Sequence, residues 1–326
     1  MKVIVLPRYG GPEVLTVAEA QKPEPGPDQI LVRVRAIGVN RADGLQRQGL
    51  YPMPSGISDV PGLELAGEVE ALGPGVDDHK VGDRVFGLVA EGAYAEYAVV
   101  DHGLAVPIPD SWGFVEGASV IEVFCTANET LFELAGLQAD QSILIHAGGS
   151  GVGTAAVQMA RHAGATVYFT AGSQRKINRV LELGGHAGFN YHTHDFVEEV
   201  FRVTGGEGVD AIEDFIGADY LMRNIALLRE TGCLVLVGIL GQPIGDFDVR
   251  PMFRKLLRIF GFTLRAQSLD NKRAIVGRFR DTWLPLLAAG TVEPVIHAAV
   301  PFSEARRAHE IMEANENLGK VIITID

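Results

Sequence analysis

Ser142-Ile-Leu-Ile-His-Ala-Gly-Gly-Ser-Gly-Val-Gly-Thr-Ala-Ala-Val-Gln-Met-Ala160 is the stretch whose reading decides the fold. Its apolar run, Ile143 to Ala147, reads as a buried parallel strand. The run breaks into a turn containing Gly148, Gly149, Gly151 and Gly153, then into the helical spacing of Val152, Ala156, Val157 and Ala160. Strand, glycine turn and helix form the device that sets a pyrophosphate on a helix N-terminus, where unpaired N–H groups and the dipole favour an anion. Glycines lack Cβ atoms and let backbone approach the phosphate. Read as G-x-G-x-x-G from Gly148, the pattern has Ser150 where its central glycine is expected.

The next strand, Ala165-Thr-Val-Tyr-Phe-Thr170, runs into Ala171-Gly-Ser-Gln-Arg-Lys176. A site for NADH usually ends this strand with Asp or Glu, which accepts hydrogen bonds from the ribose 2′-hydroxyl. Here Ser173, Arg175 and Lys176 stand instead, a set suited to a 2′-phosphate. The cations also read as solvated residues of a helix's first turn, but there they oppose the helix dipole unless an anion joins them. NADPH is the expected cofactor.

The chain has 326 residues, 47% hydrophobic and 21% charged, enough for a large core and two domains. A net charge of −13 without a basic stripe argues against a nucleic-acid partner. No apolar run approaches a membrane span, and the N-terminal apolar stretch is too short for a signal peptide. Cys125 and Cys233 lie far apart in apolar contexts and read as reduced core thiols. A cytoplasmic protein is expected.

Three parts follow one another along the chain. Up to about residue 120, short apolar segments (Lys2–Leu6, Gln29–Val39, Ala66–Leu72, Arg84–Leu88, Tyr94–Val100) alternate with Gly/Pro turns, as in a strand-rich domain. Strand–helix alternation then takes over, with strands predicted at Ser142–Ala147, Ala165–Thr170, Ala187–Asn190, Val209–Phe215, Leu234–Gly238 and Ile259–Leu264. Six strands with crossover helices describe a doubly wound parallel sheet. The tail is read as a helix over Lys272–Ala289, a strand over Pro294–Val300, a helix over Glu304–Ala314 opened by Ser303, and a strand over Lys320–Ile325. In style it returns to the first part.

Several motifs carry a resemblance over essentially the whole length. They are Asn40-Arg-Ala-Asp-Gly-Leu-Gln-Arg-Gln-Gly-Leu-Tyr51, Pro61-Gly-Leu-Glu-Leu-Ala-Gly67, Leu72-Gly-Pro-Gly75, Val81-Gly-Asp-Arg-Val85, the glycine turn, Ala187-Gly-Phe-Asn-Tyr191, and Ala308 through Gly319-Lys320. The chain resembles the zinc-independent quinone oxidoreductases, the zeta-crystallin-like branch of the medium-chain dehydrogenase/reductase superfamily. Within them it is most similar to the tumour-suppressor-inducible type, which also carries serine inside the glycine turn. The resemblance implies a GroES-like strand-rich catalytic domain (residues 1–120 and 267–326) and a doubly wound Rossmann NADPH-binding domain (121–266), together an α/β protein.

It also implies site residues. Asn40 and Tyr51 are expected beside the nicotinamide, Asn40 orienting ribose or carboxamide, Tyr51 donating a hydrogen bond or stacking. A surface aromatic in the loop Tyr51-Pro-Met-Pro-Ser55 is an equal reading of Tyr51. For the cofactor the resemblance carries over Thr126, Ser150, Gly151, Val152, Ser173, Lys176 and Tyr191, with Gly238, Leu264 and Asn317 as further candidates. The helix Val120-Ile-Glu-Val-Phe-Cys-Thr126 departs from the family, which commonly has proline at the place of Ile121 and an aromatic near Cys125.

Zinc-dependent relatives carry a ligand cysteine where this chain has Asn40, and histidine where Gly62-Leu63-Glu64 has leucine; their third ligand position falls near Glu122. Two cysteines cannot build a four-cysteine structural zinc loop. His186, His192 and His194 read as a polar loop after a strand, and His309-Glu310 lacks a metalloprotease helix's second histidine. No metal is expected, so the acceptor must take hydride readily, as quinones and enones do when charge delocalises onto oxygen. An enoyl-thioester or enone reductase and a non-catalytic NADPH-binding protein are the alternatives. A homodimer is expected through the edge strand of the parallel sheet, Arg258–Leu264. Metal analysis of purified protein is expected to find no stoichiometric zinc, and turnover to survive chelators. Activity lost to a chelator and restored by zinc contradicts this reading.

Overall fold

A computed structural model describes residues 1–51 and 59–326. The chain divides into two compact units, Met1–Val123 with Gln267–Asp326, and Phe124–Ala266.

The first unit opens with a small antiparallel pair, β1 (Lys2–Val5) and β2 (Thr16–Glu19). Its frame is β3 (Gln29–Val39), the antiparallel partner of β4 (Glu64–Leu72), which in turn pairs β5 (Arg84–Leu88). β6 (Tyr97–Asp101) also pairs β3, and β7 (Ala105–Pro107) pairs β5. α1 (Arg41–Arg47) follows β3 directly, α2 (Phe114–Gly117) is a single turn, and α3 (Ile121–Asn128) leads out of the unit. The predicted strand at Tyr94–Val100 starts three residues later in the structure. Tyr94 precedes it with its side chain buried, its carbonyl oxygen accepting from Ile4 N–H at 2.8 Å. β2 and β7 are short and carry no alternation that marks them in the sequence.

The second unit holds β8 (Ser142–Ile145), α4 (Gly151–His162), β9 (Thr166–Ala171), α5 (Gln174–Glu182), β10 (Ala187–Asn190), α6 (Phe196–Val203), β11 (Val209–Asp214), α7 (Ala218–Leu227), β12 (Leu228–Leu236), α8 (Val249–Lys255) and β13 (Arg258–Gly261). The six strands are parallel in the order β10-β9-β8-β11-β12-β13. The order in which successive strands are added reverses between β8 and β11, the switch point where such sheets open a crevice at their carboxyl ends. Two strands correct the sequence reading. β12 begins six residues earlier than expected because Leu228 pairs Val209 before a register shift; the polar Arg229-Glu-Thr-Gly232 hides this in the sequence. β13 ends at Gly261, leaving Leu264 outside it, although Phe262 N–H still donates to Leu236 O at 2.9 Å.

The tail returns to the first unit. The predicted helix Lys272–Ala289 resolves into α9 (Leu269–Arg278), a π-helical stretch (Phe279–Trp283) and α10 (Leu284–Ala288). β14 (Ile296–Pro301), α11 (Ala305–Glu313) and β15 (Lys320–Thr324) complete it, with β14 parallel to β15 and β15 antiparallel to β3. The sheet has seven strands.

At the start of β15 a charge is buried. Lys320 Nζ donates to Glu64 Oε1 at 2.5 Å, to Asn40 Oδ1 at 2.7 Å and to Val39 O at 2.9 Å, with both charged side chains buried. The ammonium thus ties β15 to the end of β3 and the start of β4. Breaking such a pair by removing one partner is costly because the other charge stays buried. Lys320→Met is expected to lower stability by about 3–5 kcal/mol in urea unfolding. Adding Glu64→Gln is expected to recover part of that loss; a double variant no more stable than Lys320→Met contradicts the pairing.

Candidate active site

In the second unit the glycine turn starts with a residue in the left-handed region, Ala147 at φ 50°. Gly148 N–H donates to Thr170 O at 2.9 Å, which joins the turn to β9. Ser150 caps α4: its Oγ accepts from Gly153 N–H at 3.0 Å, and its carbonyl oxygen accepts from Thr154 N–H at 2.9 Å. The serine that breaks the glycine pattern therefore serves as the helix cap. Gly153 admits no side chain, since a Cβ there would lie 2.4 Å from Ala147 O.

Two side chains lean over this turn and the end of β9. A Cβ on Gly149 would meet Lys176 Cδ at 3.1 Å, and one on Gly172 would meet Tyr191 Oη at 2.5 Å. Ser173 caps α5, its Oγ accepting from Lys176 N–H at 3.4 Å. The structure thus gathers Ser150, Gly151, Val152, Ser173, Lys176 and Tyr191 at the carboxyl ends of β8, β9 and β10. The remaining candidates lie on other elements. Thr126 is buried in α3, Gly238 follows β12 and packs near Phe215 O, and Leu264 is buried beyond β13. Asn317 lies in the first unit with its amide donating to Gly319 O at 2.9 Å.

Beneath the turn runs a polar chain that the sequence reading missed. His146 Nδ1 accepts from Thr170 Oγ1 at 3.0 Å, and Nε2–H donates to Asn224 Oδ1 at 2.8 Å. Asn224 Nδ2 donates to Asp214 Oδ2 at 3.0 Å, which fixes the amide's orientation and hence the imidazole tautomer. Burial pushes His146 down to about 4, so it is neutral at physiological pH. Asp214 is pushed up to about 6 by burial, against opposing bonds from Ile216 N–H, Gly217 N–H and Asn224. These links cross β9, β8 and β11 and hold the floor of the crevice rigid.

The first unit contributes a second buried polar cluster. Asn40 opens α1; its N–H donates to Asp43 Oδ2 at 2.8 Å, and its Nδ2 donates to Glu64 Oε1 at 2.9 Å. With Oδ1 on Lys320, the amide is committed on both sides. Tyr94 Oη donates to Asp43 Oδ2 at 3.2 Å and accepts from His309 Nε2 at 3.0 Å. His309 Nδ1 accepts from Arg47 Nε at 3.3 Å, and Arg47 also bonds Glu313. Burial, then the Arg47 charge, push His309 down to about 3, so the ring is neutral with its proton on Nε2. Burial raises Asp43 to about 6.

Glu64 Oε2 accepts from Glu122 N–H at 3.1 Å, bringing the start of α3 to the same cluster. Asn40 Nδ2 and the Glu122 N–H thus meet on a carboxylate paired with Lys320. No group of three or more potential metal-binding side chains occurs among the described residues. Tyr51 is half-buried at a bend, and the residues that follow it, Pro52 to Ser55 included, lie outside the described residues. Asp43, Tyr94, Glu122 and His309 escaped the sequence reading. The acidic and histidine side chains stood in motifs quoted for other reasons, and only the fold joins them.

Comparison with known proteins agrees with both units. The Alcohol dehydrogenase GroES-like domain family matches residues 26–110, and the Zinc-binding dehydrogenase family matches residues 151–276. The quinone oxidoreductase of Rattus norvegicus is 32% identical over 328 residues, covering 100% of this chain and 98% of its own. The structure of Escherichia coli quinone oxidoreductase complexed with NADPH superposes with a TM-score of 0.92 at 29% identity, covering 100% of both chains. That of the CurK enoyl reductase gives 0.89 at 28% identity, covering 100% of this chain and 99% of that one. The chain belongs to the medium-chain dehydrogenase/reductase superfamily, in its zinc-independent, quinone-oxidoreductase-like branch, and is an oxidoreductase of that family.

Proposed function

We propose that the protein is an NADPH-dependent reductase of quinones and related conjugated carbonyls. The observation that carries the cofactor choice is the end of β9. Ser173 and Lys176 lie there beside Tyr191, with no carboxylate in Ala171–Lys176 to receive a ribose 2′-hydroxyl. The residues fit the dinucleotide: Gly153 lets the start of α4 pack closely on the turn, the first turn of α4 offers its N–H groups to the pyrophosphate, and Lys176 meets the 2′-phosphate. When bound, the nicotinamide supplies a hydride. Thr126, Gly238, Leu264 and Asn317 are proposed as further contacts, and Tyr51 as a substrate-side aromatic. Asn40, its amide engaged on both sides, is assigned to positioning.

Quinones are favoured as acceptors by the names of the relatives, and the likeness to the CurK enoyl reductase supports enones as a second class. The two buried cysteines, Cys125 and Cys233, are thiols, which suits the reducing cytoplasm. Among the described residues, no helix is long and apolar enough to cross a membrane.

We further propose a homodimer through the outer strand. Among the described residues β13 pairs only β12 within its sheet, and the segment that precedes it in the chain carries exposed apolar residues, Ile244 at 86% and Phe253 at 82% among them. Two-fold edge pairing joins the sheets of both copies.

Lys176→Ala is expected to weaken NADPH binding by about 1.5–3 kcal/mol and leave NADH nearly unchanged. Turnover with a panel of quinones and enones distinguishes the acceptor classes. Equal losses for both nucleotides, or NADPH binding without turnover of any acceptor, contradict the reading. In sedimentation the 35.0 kDa chain is expected to run at twice its mass, and Phe262→Lys to shift it toward monomer; a wild type that is monomeric at micromolar concentration contradicts the dimer.

A further inference from the structure

Of the three histidines around β10, the structure sets one apart. His186, at the amino end of the strand, meets the ring of Tyr168 edge-on at 5.7 Å, and His194 Nδ1 is bonded to Thr193 Oγ1 at 2.7 Å. His192 follows Tyr191 at the carboxyl end. Asn190 fixes the turn that carries it: its Oδ1 accepts from His192 N–H at 3.0 Å, and its carbonyl oxygen accepts from Thr193 N–H at 3.1 Å and His194 N–H at 3.0 Å. Tyr191 N–H donates to Ala171 O at 3.3 Å, which sets the turn beside the end of β9. Tyr191 Oη and His192 Nε2 both reach Gly172, since a Cβ there would meet them at 2.5 and 3.4 Å. The two rings lean together with centroids 4.4 Å apart. The His192 imidazole is exposed, and neither of its ring nitrogens has a hydrogen-bond partner among the described residues.

We propose that His192 is a specificity-determining contact for the 2′-phosphate, and that protonation of its ring strengthens NADPH binding while leaving NADH binding alone. The inference rests on the functional reading above and deepens it. In a site of this kind the end of the second strand, here Gly172 and Ser173, meets the adenosine ribose. Lys176 comes to it from α5 and His192 from the turn after β10, so two separate elements supply the cations. A neutral imidazole offers a phosphate one N–H, whereas an imidazolium offers an N–H and a charge. Imidazole is the side chain whose charge ordinarily changes between about pH 5 and 8, while lysine and arginine ordinarily keep theirs across that range. The proton-dependent part of the preference therefore belongs to His192. Around the turn stand Tyr191 and His194 on the turn itself, Arg175 and Lys176 on α5, and Tyr220 and Arg223 on α7. Asp195, the carboxylate next along the chain, is held by Arg223 at 2.9 Å and accepts from Val197 N–H at 2.7 Å, so it is engaged elsewhere.

The test is calorimetric titration of wild type, His192→Gln and His192→Arg with NADP⁺ and NAD⁺, at about pH 6 and about pH 8.5, on either side of the imidazole transition. Each Kd is taken relative to wild type at the same pH, which cancels the phosphate's own second ionisation at about 6. His192→Gln is expected to weaken NADP⁺ binding about fivefold at the lower pH and by less than about twofold at the higher, with NAD⁺ unchanged at both. His192→Arg is expected to match wild type at the lower pH and to bind NADP⁺ more tightly at the higher. A loss in His192→Gln that is equal at both pH values, or shared by NAD⁺, makes the ring a packing or neutral contact and overturns the proposal. No loss at either pH overturns it too, and overturns it alone if Lys176→Ala still weakens NADP⁺ selectively. A wild type without preference for NADP⁺ over NAD⁺ overturns the 2′-phosphate reading and this proposal with it.

Discussion

A single ammonium group, Lys320 Nζ, sits where four segments of the first unit converge, and much of that unit's polar interior follows from it. Its bonds to Glu64, Asn40 and Val39 fix the start of β15 against the end of β3, the cap of α1 and the head of β4. A buried lysine requires a counter-charge, a buried carboxylate requires donors, and each requirement recruits the next group. Glu64 takes the Asn40 amide and the Glu122 N–H; Asn40 takes Asp43; Asp43 takes Tyr94, and Tyr94 takes His309. The arrangement is a chain of buried polar groups that runs from the Lys320–Glu64 pair to His309.

The second unit solves a similar problem without a cation. Its turn must present N–H groups at a fixed height above the sheet, and the neutral chain Thr170–His146–Asn224–Asp214 braces it from below. Neutrality matters there, because a charged imidazole beneath a helix N-terminus would oppose the helix dipole.

The parallel sheet was legible because Ile143–Ala147 and its sister runs are short, apolar and broken by glycine, and such signals are local. Ser150 illustrates a partial reading: its place in the motif was visible, whereas its service as the α4 cap required the coordinates. β12 began early because Leu228 pairs across a register shift, which polar neighbours conceal. The buried cluster was illegible for a different reason. Tyr94 and His309 lie 215 positions apart, and nothing in either neighbourhood announces that one hydroxyl meets one imidazole.

Glu213 carries a consequence of its own. One of its oxygens accepts from Thr130 Oγ1 at 2.6 Å, the other is buried with no partner, and burial pushes the group up to about 8. The unfolded chain would ionise the same carboxyl near the ordinary glutamate value of 4.5. Between those values the native protein keeps a proton that the denatured chain discards, so this group's stabilising contribution is whole below the lower value and fades as pH climbs through the upper. Melting at neutral pH is therefore also an acid release, and the heat it absorbs includes the protonation enthalpy of whatever buffer receives that proton.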